Sequence, residues 1–140
     1  MRLLTREAFS TTVLARSRGR CVLCGAPAVD AHHILERKLF ADGGYYAANG
    51  AAVCAGCHWA CETTEHTVEE VRHAAGITET CLPPGFAPAA CYDKWGNVVR
   101  PDGLREPGPL FEDTGCRKAL AAGGFFGRFV PKDTPCAADS

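Results

Sequence analysis

The sequence lacks any unbroken run of eighteen or more apolar residues, so no membrane span is expected. The start, MRLLTREAFSTTVLARSRGR, has no continuous apolar stretch, which argues against a secretory signal. It is Arg-rich and slightly amphipathic, so an organelle transit peptide is the competing reading. Cys21 follows at once and opens a motif, which favours a folded helix and a cytoplasmic protein. There is no internal repeat. There is also almost no net charge: the formal value is −1, so the chain as a whole carries no nucleic-acid signature. The charge is uneven, however. Residues 1–40 hold seven Arg/Lys against three Asp/Glu, and residues 41–140 hold eight against thirteen. A basic first part can meet a polyanion locally.

Nine cysteines in 140 residues is a high count. An odd number, close pairs and no export signal favour metal binding over a disulfide framework. Cys21-x2-Cys24 and Cys54-x2-Cys57 stand twenty-nine residues apart. Four thiolates on two tight turns can close a tetrahedral zinc site. Buried free thiols or a redox pair are the alternatives. Cys61 would be a spare thiol one helical turn beyond Cys57. Cys81, Cys91, Cys116 and Cys136 are scattered and show no knuckle spacing.

The local pattern predicts an α+β protein. Thr5 to about Ser17 reads as a helix with Phe9 and Val13 on one face. Residues 28–35 read as a strand and residues 51–53 as a second, short one. A helix opens at or near Cys54. Thr67 with Glu70 forms a capping box for a helix over 68–75, closed by Gly76. Eight of the nine prolines lie beyond residue 80. That half is expected to be loop-rich, with a short hairpin around Pro101-Asp102-Gly103 and one short helix in CRKALAAGG. It would form either a wrap over the first half or a partner surface. The expected organisation is an N-terminal helix (1–19), a core (20–76) and an extension of unassigned role (77–140).

Between the knuckles lies DAHHILERK, and after it Asn49 and Cys57-His58. With CVLC, DAHHI and NGAAVCAGCH in this order, residues 20–76 resemble the HNH endonuclease family, the zinc-knuckled branch of the His-Me finger nucleases. The resemblance implies a small ββα-metal core stapled by zinc on Cys21, Cys24, Cys54 and Cys57. It implies His32 and His58 as ligands of a catalytic divalent ion, His33 as general base, and Asn49 as the residue that holds the loop and orients the His33 ring. In some members a third ligand stands one turn beyond the helix histidine. Here that is Glu62, for which a solvated helix acid is the alternative. Many relatives have Asp where this chain has His32. Two imidazoles make a softer site, favouring Mn, Co, Ni or Zn without excluding Mg. Asp30 shares the His32 face and is either a supporting acid or an edge residue.

The implied activity is hydrolysis of phosphodiester bonds, leaving 5′-phosphate and 3′-hydroxyl ends, with DNA favoured over RNA. The alternatives are a silent zinc-stapled binding module, an RNA-cutting enzyme, or one that needs a partner or a second copy through its extension. Arg20, Arg37 and Lys38 are the phosphate candidates, with Arg16 and Arg18 behind them. Tyr45, Tyr46 and Trp59 either stack on bases or fill the core, and Trp59 is expected in the core. His66 and His73 are expected at the surface.

Overall fold

The computed structural model describes residues 1–136. Among them are four α-helices and two small antiparallel sheets. Helix α1 spans Arg6–Arg16. Thr5 caps it, its Oγ1 accepting from Ala8 N at 3.1 Å. Phe9 and Val13, four apart, are both fully buried, as the spacing predicts.

Strands β1 (Asp30–His33) and β2 (Gly50–Val53) pair antiparallel, His32 opposite Ala51 and His33 opposite Gly50. The ladder is shorter than the expected strand over 28–35. Bonds from Val29 N to Val53 O and Ile34 N to Asn49 O, both 2.9 Å, continue its pairing by one residue at each end. Helix α1 lies on this hairpin at close range. A Cβ at Gly50 would stand 2.3 Å from Val13 Cγ2 and 2.8 Å from the Phe9 ring, so only glycine lets α1 approach so near. The Arg16 guanidinium locks the contact through the carbonyls of Ala47 and Gly50. That occupies Arg16 structurally and withdraws it from the phosphate candidates.

Helix α2 (Ala55–Glu62) follows β2 directly. Its N-cap is Cys54, whose Sγ accepts from Cys57 N at 3.4 Å. Helix α3 (Val68–Ala74) carries the full Thr67/Glu70 capping box. Val68 and Val71 join Ile34, Leu35, Ala51, Cys61 and Tyr92 in the main core.

Residues 77–136 wrap the first half. Strands β3 (Val98–Val99) and β4 (Arg105–Glu106) form the short hairpin, and α4 (Thr114–Gly123) is the expected helix. The loop YDKWGN turns sharply at Gly96 (φ +85°) and is organised by Asp93. The Asp93 carboxylate accepts from Trp95 N, Asn97 N and Asn97 Nδ2 at 2.9–3.0 Å. It also accepts from Arg105 Nη1 at 3.0 Å, and that guanidinium reaches on to Thr64 Oγ1 at 2.8 Å. Trp95 Nε1 donates to Glu62 O at 3.1 Å. The wrap thus grips the C-terminal end of α2. Trp59 corrects an expectation: it is 64% exposed, not core. Its neighbours on α2 include Cys61 and Glu62, which take the inward face, while Trp59 projects to solvent. No helix among the described residues is long and apolar enough to cross a membrane.

Candidate metal centre

Two groups of ligand-type side chains meet at the two ends of α2's first two turns. The first is Cys21, Cys24, Cys54 and Cys57, whose sulfurs all lie within 4.8 Å of one another. Cys24 and Cys54 Sγ are 3.6 Å apart. The first knuckle is closed by Gly25 N donating to Cys21 O at 2.9 Å and by Cys21 N donating to Ala26 O at 2.7 Å. Burial alone raises the Cys21 thiol, but backbone N–H groups around it overcome this and bring it down to about 6. A thiol so prepared sheds its proton readily and leaves a thiolate for a soft cation. This cluster fits a structural metal ion, zinc by its all-sulfur donor set. Cys61 is buried in the core, outside the cluster. Cys81, Cys91 and Cys116 form no second cluster of three ligands among the described residues.

The second group is His32, His58 and Glu62, again with ligand atoms within 4.8 Å of one another. Glu62 Oε1 lies 3.5 Å from His32 Nδ1 and 3.3 Å from His58 Nε2. His58 and Glu62 share a face of α2 because they are four apart. His32 reaches them from β1 and is 1% exposed. Its Nδ1 has no partner with hydrogen-bond geometry. A buried, unpartnered imidazole nitrogen aimed at a carboxylate and a second imidazole is the chemistry a divalent ion would satisfy. Burial pushes the His32 imidazole down, toward the neutral form a ligand needs. Burial would raise Glu62, yet His32, His58 and Lys94 hold its carboxyl far below the usual range, so it is ionised. Asp30 Oδ2 stands 3.0 Å from His58 Nδ1 and fixes that ring from behind. Of its two readings, the supporting acid is the one the geometry favours.

His33 occupies the other face of β1. Its ring stacks on Phe9 with centroids 4.5 Å apart, and Tyr45 meets its edge at 4.7 Å. Nε2 is buried and has no hydrogen-bond partner. Burial, then the charge of Arg37, pushes this imidazole down to about 4. A single open cavity of about 420 Å³ is lined by His33 together with His32, His58 and Glu62. Asn49 is buried and bonds only to backbone: Oδ1 accepts from Leu35 N at 2.9 Å, and Nδ2 donates to Leu35 O at 3.1 Å and Gly44 O at 3.2 Å. Of its two expected roles it performs the first. It holds the loop after β1 and makes no hydrogen bond to the His33 ring.

The basic candidates separate. Arg37 lines the cavity and donates to Tyr45 Oη at 3.0 Å. Lys38 is tied to Asp113 at 3.0 Å and does not line the cavity. Arg20 lies beside the first knuckle, bridged to Pro27, and is likewise outside the cavity. Arg6 of α1 does line it and had no signal in the sequence beyond its charge. Lys94 and Glu36 also line it, and both are buried. Sequence reasoning missed both, because a pairing across 58 residues leaves no local pattern. His66 pairs with Glu70 at the surface, as expected.

Compared with known proteins, the chain matches no family model, no curated protein and no solved structure.

Proposed function

We propose that the protein is a metal-dependent endonuclease with a ββα-metal core, hydrolysing phosphodiester bonds, DNA first. The observation that carries this reading is the placement of His33 on one face of β1 and the His32, His58, Glu62 group on the other, around one cavity.

A divalent ion held by His32, His58 and Glu62 would offset the charge that builds on the scissile phosphate and on the departing 3′-oxygen. The remaining work falls to side chains. Neutral His33 takes a proton from water through Nδ1, the ring nitrogen that is not buried, and the water's oxygen forms the new bond to phosphorus. The P–O3′ bond breaks, its electron pair leaves with the 3′-oxygen, and that oxygen takes up a proton from solvent. The ends are a 5′-phosphate and a 3′-hydroxyl. Phe9 and Tyr45 fix the imidazole plane, and Asn49 fixes the turn that follows it. Arg37 and Arg6 supply positive charge at the cavity for the flanking phosphates.

The test is nicking of a supercoiled plasmid by zinc-loaded protein, with Mg, Mn, Ni, Co and Zn added separately and a structured RNA assayed in parallel. Metal-dependent nicking by wild type and its loss in His33→Ala are expected. A wild type inert with every ion on both substrates overturns the nuclease reading and leaves a zinc-stapled binding module.

A further inference from the structure

Lys94 lies outside every motif that drew attention in the sequence, yet its side chain is only 5% exposed and enters the cavity. The ammonium is hydrogen-bonded to Glu36 Oε2 and lies 3.3 Å from Glu62 Oε1. The backbone locks the same partners, with Glu36 N donating to Lys94 O at 3.0 Å. The Trp95 ring covers the ammonium from 4.6 Å. One cation therefore serves two carboxylates. Only Glu62 is at ligand distance from the two imidazoles, although Glu36 is buried on the same cavity.

A buried carboxylate that loses its cation must take up a proton or find another cation, and a divalent ion in the same cavity is one such cation. We infer that Lys94 sets the ion site's ligand number by withholding Glu36, keeping the site at two imidazoles and one carboxylate. The inference rests on the metal-site reading above and makes the second half of the chain part of that site. Lys94 is thus a specificity-determining positioning residue. Two imidazoles favour nickel, cobalt or zinc, whereas a second carboxylate moves preference toward calcium and magnesium. Charge alone does not produce this change. Loss of a positive charge tightens every divalent ion alike, while a new oxygen ligand favours the hard ones.

The experiment is calorimetric titration of the zinc-loaded full chain with Ca²⁺ and with Ni²⁺. Wild type, Lys94→Met, Glu36→Gln and the double variant are compared, with folding checked by circular dichroism and retained zinc. In Lys94→Met the calcium-to-nickel affinity ratio should rise by about tenfold or more, the scale of losing or gaining a supporting group at a metal. The double variant should return to within about twofold of wild type, because the freed ligand is gone. Glu36→Gln alone should leave the ratio unchanged. If Lys94→Met folds only when Ca²⁺ is present, the inference is supported. An unchanged ratio in folded Lys94→Met, or a ratio shifted by Glu36→Gln alone, overturns it while the metal site stands. A wild type that binds no ion beyond structural zinc overturns both.

Discussion

Asp30 Oδ2 and His58 Nδ1 are 3.0 Å apart, joining the first residue of β1 to the first turn of α2. The bond turns the other ring nitrogen, Nε2, toward Glu62. A carboxylate behind a ligating imidazole orients it and raises its basicity. Asp30→Ala should therefore weaken Mn²⁺ binding. Its side chain is 50% exposed, so the effect belongs at the low end of the range, about tenfold, read by calorimetry. Unchanged affinity would remove Asp30 from the site.

His33→Ala should abolish nicking and leave Mn²⁺ affinity within about twofold, since the ring stands on the opposite face from the ligands. Retained cleavage would exclude His33 as the base. A parallel loss of metal binding would assign it to the ion site instead.

The pH profile follows from the same ring. An ordinary imidazole has a value of 6.5, and burial with Arg37 nearby brings His33 to about 4. A lowered value keeps the base neutral further into acid. With the ion saturating, the acid limb of cleavage should lie near pH 4 rather than through the ordinary histidine range. The same shift affects the fold. Between 6.5 and about 4 the unfolded chain binds this proton and the folded chain does not, so stability falls as pH falls through that window. A limb centred near 6.5 would show that His33 is less buried than the stack on Phe9 implies.

Asn49→Ala removes three hydrogen bonds from a buried amide and strands the polar groups it served. The expected cost is about 2–4 kcal/mol in denaturant unfolding of the zinc-loaded protein. A cost under about 0.5 kcal/mol, the size of an ordinary surface change, would contradict the buried geometry.

Cys54 serves twice, as a member of the sulfur cluster and as the N-cap of α2. Cys54→Ser keeps a capping oxygen but replaces a thiolate, so it should fail through the metal rather than the cap. Loss of bound zinc and of cooperative unfolding is expected, and a strong chelator should do the same to wild type. Folded, zinc-free wild type would refute the structural site.

The parts legible in the sequence were those written in short-range pattern. The Thr5 cap with Phe9 and Val13, the Thr67/Glu70 box, the two knuckles, and the alternation that sends His32 and His33 apart all depend on residues within a few positions. Glu62 was legible for the same reason, one turn from His58. Trp59 was misjudged because size and aromaticity say nothing about which side of a helix faces the core. Lys94 was invisible because its partners are distant in sequence and meet only once YDKWGN has folded around Asp93. The role of residues 77–140 was unreadable for that reason too. Its proline-rich texture announces loops but not what they lie against.

Cys57 and His58 are consecutive residues on one turn of helix, each belonging to a different ligand group. The offset between the groups is therefore set by peptide geometry rather than by loop conformation. A single residue inserted between them would rotate one group against the other by about 100° around the helix axis, with a rise of about 1.5 Å. The peptide bond between Cys57 and His58 cannot be lengthened at all.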